Sequence, residues 1–250
     1  MSNTAVVRGL VLRQAEYKES SRMLTVLTDG MGKIPVSARG AGRRGSRTAA
    51  ASQLFAFSEM TLSQSRDRWY LNDANTIELF RGLTEDIAAF ALGAYFLDLM
   101  DAVCQEGVDE PEILSLGLRA LWLLSEGKKE RALIKCSFEL RLMSLLGYRP
   151  ELERCAGCAA EDIDAPVLDL RGGELYCAAC AEKHALSPRK LCGGSLSAMR
   201  YIVLAQDGKE FSFSLKDAPL KRLGATSEAY VREQLERSFA SLAYYKGIEG

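Results

Sequence analysis

The chain has 250 residues, 48% of them hydrophobic, and a formal net charge of -1 at pH 7. Apolar content at that level excludes an intrinsically disordered chain, and the length suits one large domain or two modest ones. No apolar run reaches the roughly 18 residues needed to span a bilayer, and the charged-then-apolar pattern of a leader is missing, so a cytoplasmic protein with no membrane partner is expected.

The near-neutral balance hides an asymmetry. Residues 1–80 carry eleven Lys and Arg, Lys18 among them, against seven Asp and Glu, and the remainder is acidic, which points to a polyanion site in the first third. In that third, residues 5–14, 22–28, 33–39, 53–63 and 68–79 are short, rich in β-branched and aromatic types, and separated by Gly or polar clusters. Five such strands predict a small antiparallel barrel of the OB type over residues 1–80. In the fourth strand Leu54, Ala56, Ser58, Met60 and Leu62 alternate with Phe55, Phe57, Glu59, Thr61 and Ser63, so the first set is expected to face the barrel interior. Before it lies the loop Gly40-Ala-Gly-Arg-Arg-Gly-Ser-Arg47, with three glycines, three arginines and no carboxylate.

From about residue 84 the period becomes helical, and residues 81–250 are expected to form an α-helical domain, making the fold α+β. Thr84 is the expected N-cap of a stretch from Ile87 to Val103. Further helices are expected at about 111–126, 129–146, 195–205 and 227–245; the stretch from Ile87 to Val103 and those at 111–126 and 129–146 are apolar over most of their circumference and so bury against one another as a bundle. Residues 206–226 match no pattern.

A cysteine-rich insertion at 150–183 interrupts this domain. Cys155-Ala-Gly-Cys158 and Cys177-Ala-Ala-Cys180 are two Cys-x-x-Cys pairs eighteen residues apart. Two chelating thiolate pairs at this spacing predict a tetrahedral S4 site for one structural Zn²⁺. Two reactive or merely buried cysteine pairs are the competing reading. His184 is the only histidine and is expected to face solvent, because four thiolates already satisfy the metal. Cys104, Cys136 and Cys192 lack a partner at ligand spacing and read as core residues.

The glycine-arginine loop is the second constellation: glycines let backbone N–H groups approach phosphates, and arginines supply bidentate donors. A solvated turn is the plainer reading, but on an OB barrel the loop points to nucleic acid. Phe55, Phe57, Trp69 and Tyr70 are either stacking platforms for bases or packing between barrel and helices. An enzyme is not expected: there is no His-x-Glu beside the second cysteine pair, no Walker A loop, no dinucleotide fingerprint and no Gly-x-Ser-x-Gly elbow.

The order of parts resembles one family. Gly9-Leu-Val-Leu-Arg13, Tyr17, Glu19-Ser-Ser-Arg22, Leu24-Thr-Val-Leu-Thr28, Gly32-Lys33, Arg39-Gly40-Ala41 and Ser46-Arg47 resemble the N-terminal domain of RecO proteins. Glu139-Leu-Arg141-Leu, then Leu145-Leu-Gly-Tyr148-Arg-Pro150-Glu-Leu before Cys155, and Leu186-Ser-Pro188 after the second pair, resemble that family's zinc region. The likeness spans about residues 5–188, and the closing Tyr244-Tyr-Lys-Gly-Ile-Glu-Gly250 is less basic than it would lead one to expect. The resemblance implies a non-enzymatic mediator of recombinational repair, cytoplasmic and nucleoid-associated. Such a protein binds single- and double-stranded DNA, promotes annealing, and with RecR helps load RecA onto strands coated by the single-stranded DNA-binding protein. The residues expected to meet DNA are Arg39, Arg43, Arg44 and Arg47, then Lys33 and Arg22, with Trp69 as a stacking candidate. The alternatives are a zinc-knuckle adaptor that binds only proteins and, should one thiolate not be a ligand, a zinc-dependent hydrolase.

Overall fold

The computed structural model describes residues 3–17 and 19–249; Lys18, counted above among the basic positions, lies outside them. Five strands come first: β1 (Asn3–Tyr17), β2 (Ser21–Thr28), β3 (Gly32–Ala38), β4 (Phe57–Ser65) and β5 (Arg68–Glu78). They close into a barrel in the order β1-β2-β3-β5-β4, with β4 returning to β1. Only the β3–β5 pairing is parallel. β1 serves two neighbours, pairing with β4 from Asn3 to Leu10 and with β2 from Gly9 to Tyr17, and the register shift between Val11 and Arg13 bends it around the corner. Val7, Val11, Leu24, Val26, Ile34, Val36, Met60 and Leu62 fill the interior.

The fourth strand starts at Phe57, four residues later than its alternation suggested. Residues 39–56 are turns, and Phe55 takes a left-handed φ of 68°. That conformation turns its ring inward, 1% exposed and edge-on to Phe90 at 5.2 Å between centroids. Ala56, Ser58, Met60 and Leu62 are buried as expected, while Leu54 is only half-buried.

Helices α1 (Gly82–Glu85), α2 (Ile87–Val103) and α3 (Pro111–Glu126) follow. The N-cap of α2 is Asp86, not Thr84: one carboxylate oxygen accepts from the N–H groups of Ala88 and Ala89, both at 2.9 Å. Thr84 instead donates its hydroxyl to the Arg81 carbonyl. The barrel is tied to this helical layer at the start of β3. Gly32 has a φ of +64°, and a Cβ there would lie 2.1 Å from the Val108 carbonyl oxygen, so only glycine fits. Next to it the Lys33 ammonium meets the backbone carbonyl and carboxylate of Asp101, whose other oxygen takes Arg13 at 3.3 Å.

Packing divides the chain into two units, Met1–Ser125 with Ser241–Gly250, and Glu126–Ala240. The second unit holds α4 (Arg131–Leu145), a small sheet of β6 (Val167–Asp169), β7 (Glu174–Tyr176) and β8 (Pro188–Lys190) with α5 (Ala178–His184), then α6 (Gly193–Leu204) and α7 (Asp217–Leu235). The last helix, α8 (Ala240–Glu249), belongs almost wholly to the first unit. The single helix expected over 227–245 is therefore two. Glu236 ends α7 with a left-handed φ of 49°, and Phe239 turns inward before α8 begins. Residues 207–211 form turns and 212–216 an irregular stretch, fastened by side chains: the Tyr201 hydroxyl donates to the Lys209 and Ser212 carbonyls, and Arg141 pairs with Asp207 at 2.7 Å. No described helix is long and apolar enough to cross a membrane.

The second unit buries a charge pair where α4 meets α7. Lys135, 7% exposed at its side chain, lies 2.8 Å from Glu139 one turn on and 3.4 Å from Glu228, and the Ser227 hydroxyl donates to the Glu139 carboxylate at 2.5 Å. Burial lowers the Lys135 pKa, but Glu139 and Glu228 outweigh it and hold the value above the ordinary 10.5. The stabilisation carried by the Lys135 charge is thus complete at neutral pH and is lost as pH rises through that raised value. Removing one partner strands the other, so Lys135→Met should destabilise the protein by about 3–5 kcal/mol, read as a lower urea midpoint at unchanged m-value. The double variant Lys135→Met/Glu139→Leu should recover much of that loss.

Candidate metal centre and nucleic-acid interface

The four paired cysteines converge. Their Sγ atoms all lie within 4.8 Å of one another, and the Cys158 and Cys177 sulfurs are 3.9 Å apart. A tetrahedral thiolate site with bonds of about 2.3 Å sets sulfur separations of about 3.8 Å, so this donor set fits a metal ion. The first pair sits on a knuckle: Cys155 N–H donates to the Ala160 carbonyl and Ala159 N–H returns to the Cys155 carbonyl, both at 2.8 Å, with Ala159 at a φ of 59°. The second pair spans the end of β7 and the first turn of α5, where Cys177 is the N-cap. Burial raises the Cys155 pKa, yet backbone N–H groups at Cys177, Cys158 and Gly157 outweigh it and bring it down to about 6, so the thiolate a metal requires is favoured. Gly157 has no room for a side chain: a Cβ there would lie 2.8 Å from the Cys180 Cβ and Sγ.

Around the sulfurs, Val167, Tyr176 and Ala181 form a small apolar cluster with Cys155. Asp169 fixes the hairpin by accepting from the N–H groups of Gly172 and Ser187 at 3.2 and 2.7 Å. Because β8 pairs with β6, the cysteine-rich module closes at Lys190, beyond residue 183. His184 is exposed, stacks on Tyr176 at 6.2 Å, and lies outside the cluster of four. Cys104 and Cys136 are buried, and burial pushes both thiols up, Cys136 to about 12, which makes them inert core groups. Cys192 departs from the core reading: it is half-buried and caps α6, sharing a capping box with Ser195.

On the barrel, a cleft of about 740 Å³ opens over β2 and β3. Tyr17 and Ser20 border it on one side, Met23, Pro35 and Ser37 line it from β2 and β3, Asp67 comes from the β4–β5 turn, and Arg68, Trp69 and Tyr70 from the start of β5. Arg39 and Arg43 line it as well. Strands 2 and 3 with the two loops above them form the face on which OB barrels take oligonucleotides. A second cleft of about 680 Å³ shares Met23 and Pro35 and runs on to Ala94, Leu97 and Asp98 of α2.

The candidate DNA residues separate by environment. Arg39 and Arg43 line the cleft, and Arg44 and Arg47 are exposed on the same loop. Trp69 lines the cleft too, but it also packs against the barrel core. Arg22 is engaged beneath the loop, its guanidinium donating to the Ser52 hydroxyl at 3.1 Å and to the Ala49 and Ser52 carbonyls. Lys33 is held by Asp101. Phe55 packs against α2, which settles its role as packing. Arg68 was missed by sequence reasoning; its place at the start of a strand beside Trp69 is the signal that could have found it.

A closed OB-like barrel followed by a helical domain with a four-cysteine cluster able to hold a metal ion defines the class of protein. Residues 1–80 match the family model for the recombination protein O N terminal region, and residues 84–243 that for its C terminal region. The DNA repair protein RecO of Acetivibrio thermocellus is 30% identical over 243 residues, 96% of each chain. The proteins of the same name from Symbiobacterium thermophilum and Desulforudis audaxviator are 30% identical over 242 residues (94% of each chain) and 32% over 246 residues (95% of this chain, 94% of the relative). The chain belongs to the recombination protein O (RecO) family of DNA repair proteins.

The metal site makes a direct prediction. Purified protein should carry one metal ion per chain, and Cys158→Ser should lose it, as measured by elemental analysis after gel filtration. Gly157→Ala leaves every ligand in place yet should release the ion to a competing chelator faster than wild type. Equal release would show that the knuckle does not depend on that close approach.

Proposed function

We propose that the protein is a non-enzymatic mediator of recombinational repair that binds single- and double-stranded DNA through the β2–β3 cleft and promotes annealing. With RecR it would assist loading of RecA onto strands coated by the single-stranded DNA-binding protein. The observation that carries this reading is the meeting of Arg39, Arg43, Arg68, Trp69 and Tyr70 over one open barrel face. Guanidinium groups neutralise phosphates, and half-buried aromatic rings offer faces to bases without regard to sequence, the combination that single-strand binding needs. The helical domain and family membership support the assignment to recombination.

Zinc is the ion that four thiolates at tetrahedral spacing favour. Held by Cys155, Cys158, Cys177 and Cys180, it would cross-link residues 155–180 and leave no coordination position for water, consistent with a structural role.

The test is salt dependence. If three or four arginines each neutralise a phosphate of a single strand, log K should fall against log salt with a slope of roughly -2 to -3. Arg43→Ala/Arg44→Ala should flatten that slope by about 1.4 and weaken all sequences alike. Both residues are exposed, so the melting temperature should stay put. A wild-type protein with no salt-dependent affinity for DNA would leave a protein-only adaptor as the better reading.

A further inference from the structure

The Arg39 guanidinium carbon sits over the Tyr70 ring, 4.2 Å from its centroid. Among the described residues, this guanidinium takes no hydrogen bond or ion pair, unlike Arg22 and Arg43, whose side chains are anchored at Ser52 and Ser20. Arg39 is exposed whereas Tyr70 is half-buried, and both line the β2–β3 cleft. The guanidinium thus lies over a cleft-lining ring while its residue remains exposed to solvent.

We propose that Arg39, supported by Tyr70, is a base-stacking platform of this cleft, presenting the face of its guanidinium away from that ring to a nucleobase of a single strand. The proposal rests on the cleft being the DNA site, and adds to it a role for Arg39 that charge alone does not give. A guanidinium is weakly hydrated on its faces and stacks on planar π-systems, which a lysine ammonium cannot do. Unpaired bases stack on guanidinium planes as they do on aromatic rings. The tyrosine beneath holds the plane in place by the cation–π attraction, and the in-plane N–H edges stay free for a neighbouring phosphate. A duplex keeps its bases stacked inside, so this contact favours single strands.

The experiment uses the full chain, fluorescence anisotropy over a range of salt, and two probes with the same number of phosphates: an oligothymidylate and an abasic strand. Arg39→Lys keeps the charge. It should bind the oligothymidylate about five- to a hundred-fold more weakly than wild type with an unchanged salt slope, and the abasic strand equally well. Arg39→Ala should show the same loss and also flatten the slope by about 0.7. Tyr70→Phe, which keeps the ring, should match wild type. Wild-type affinity of Arg39→Lys for the oligothymidylate, or an equal loss on both probes, would overturn the platform while leaving the cleft as the DNA site. Unchanged affinity and slope in Arg39→Ala, Arg43→Ala and Arg44→Ala together would instead move the DNA site off the cleft and take the platform with it.

Discussion

The first unit depends on one strand bonding to two partners at once. β1 spends its first half on β4 and its second on β2, and the irregularity between Val11 and Arg13 is where it changes allegiance. Without that bend the five strands would form an open sheet with two bare edges, and open edges invite pairing with other chains. Closure curls β2 and β3 so that their outer face, flanked by the β1–β2 and β4–β5 loops, becomes a trough. The arginines and aromatics matter because closure aims them at the same space.

The second unit solves a different problem, how to keep polar groups inside. Lys135 and Glu139 sit one turn apart on α4, buried, and α7 supplies Ser227 and Glu228 to complete them. A hydrophobic pair of similar size would serve stability as well or better, so the ionic arrangement is more readily understood as fixing the register of α7 on α4. The cysteine module is the same logic at smaller scale. Three-residue strands and a seven-residue helix enclose only a handful of apolar side chains, too few to hold residues 155–180 together unaided. Sulfur ligands to one ion, as proposed above, would provide the missing cohesion.

Much of this was legible in the sequence. The cysteine spacing identified all four members of the sulfur cluster because ligand geometry is a local constraint that spacing encodes directly. Alternation and turn residues placed five strands and their barrel, and apolar periodicity found α2, α3, α4 and α6 to within a few residues. Failures came where a tertiary contact overrode a local preference. Phe55 reads as a strand residue and was drawn into a left-handed turn by the space beside Phe90. Arg22 and Lys33 look like free cations, and nothing local reveals Ser52 or Asp101 as their distant partners. Residues 206–216 carry no periodicity because their order comes from Tyr201, Arg141 and the buried Phe211. The Arg39–Tyr70 stack joins positions far apart in the chain, and the parallel β3–β5 pairing brings them together.

Arg22 has a role that its position under the glycine-arginine loop makes specific. Its guanidinium fastens residues 49–52 to β2, while the Gly42 N–H holds the other end of the loop at the Ser20 carbonyl. Between these two clasps, residues 43–47 contribute nothing to the barrel interior. Length and composition at the crest can therefore drift without disturbing the fold, whereas the clasps cannot. Over evolutionary time such an arrangement lets the charge of the crest be changed by adding or deleting single cations, with the rest of the barrel indifferent to the change.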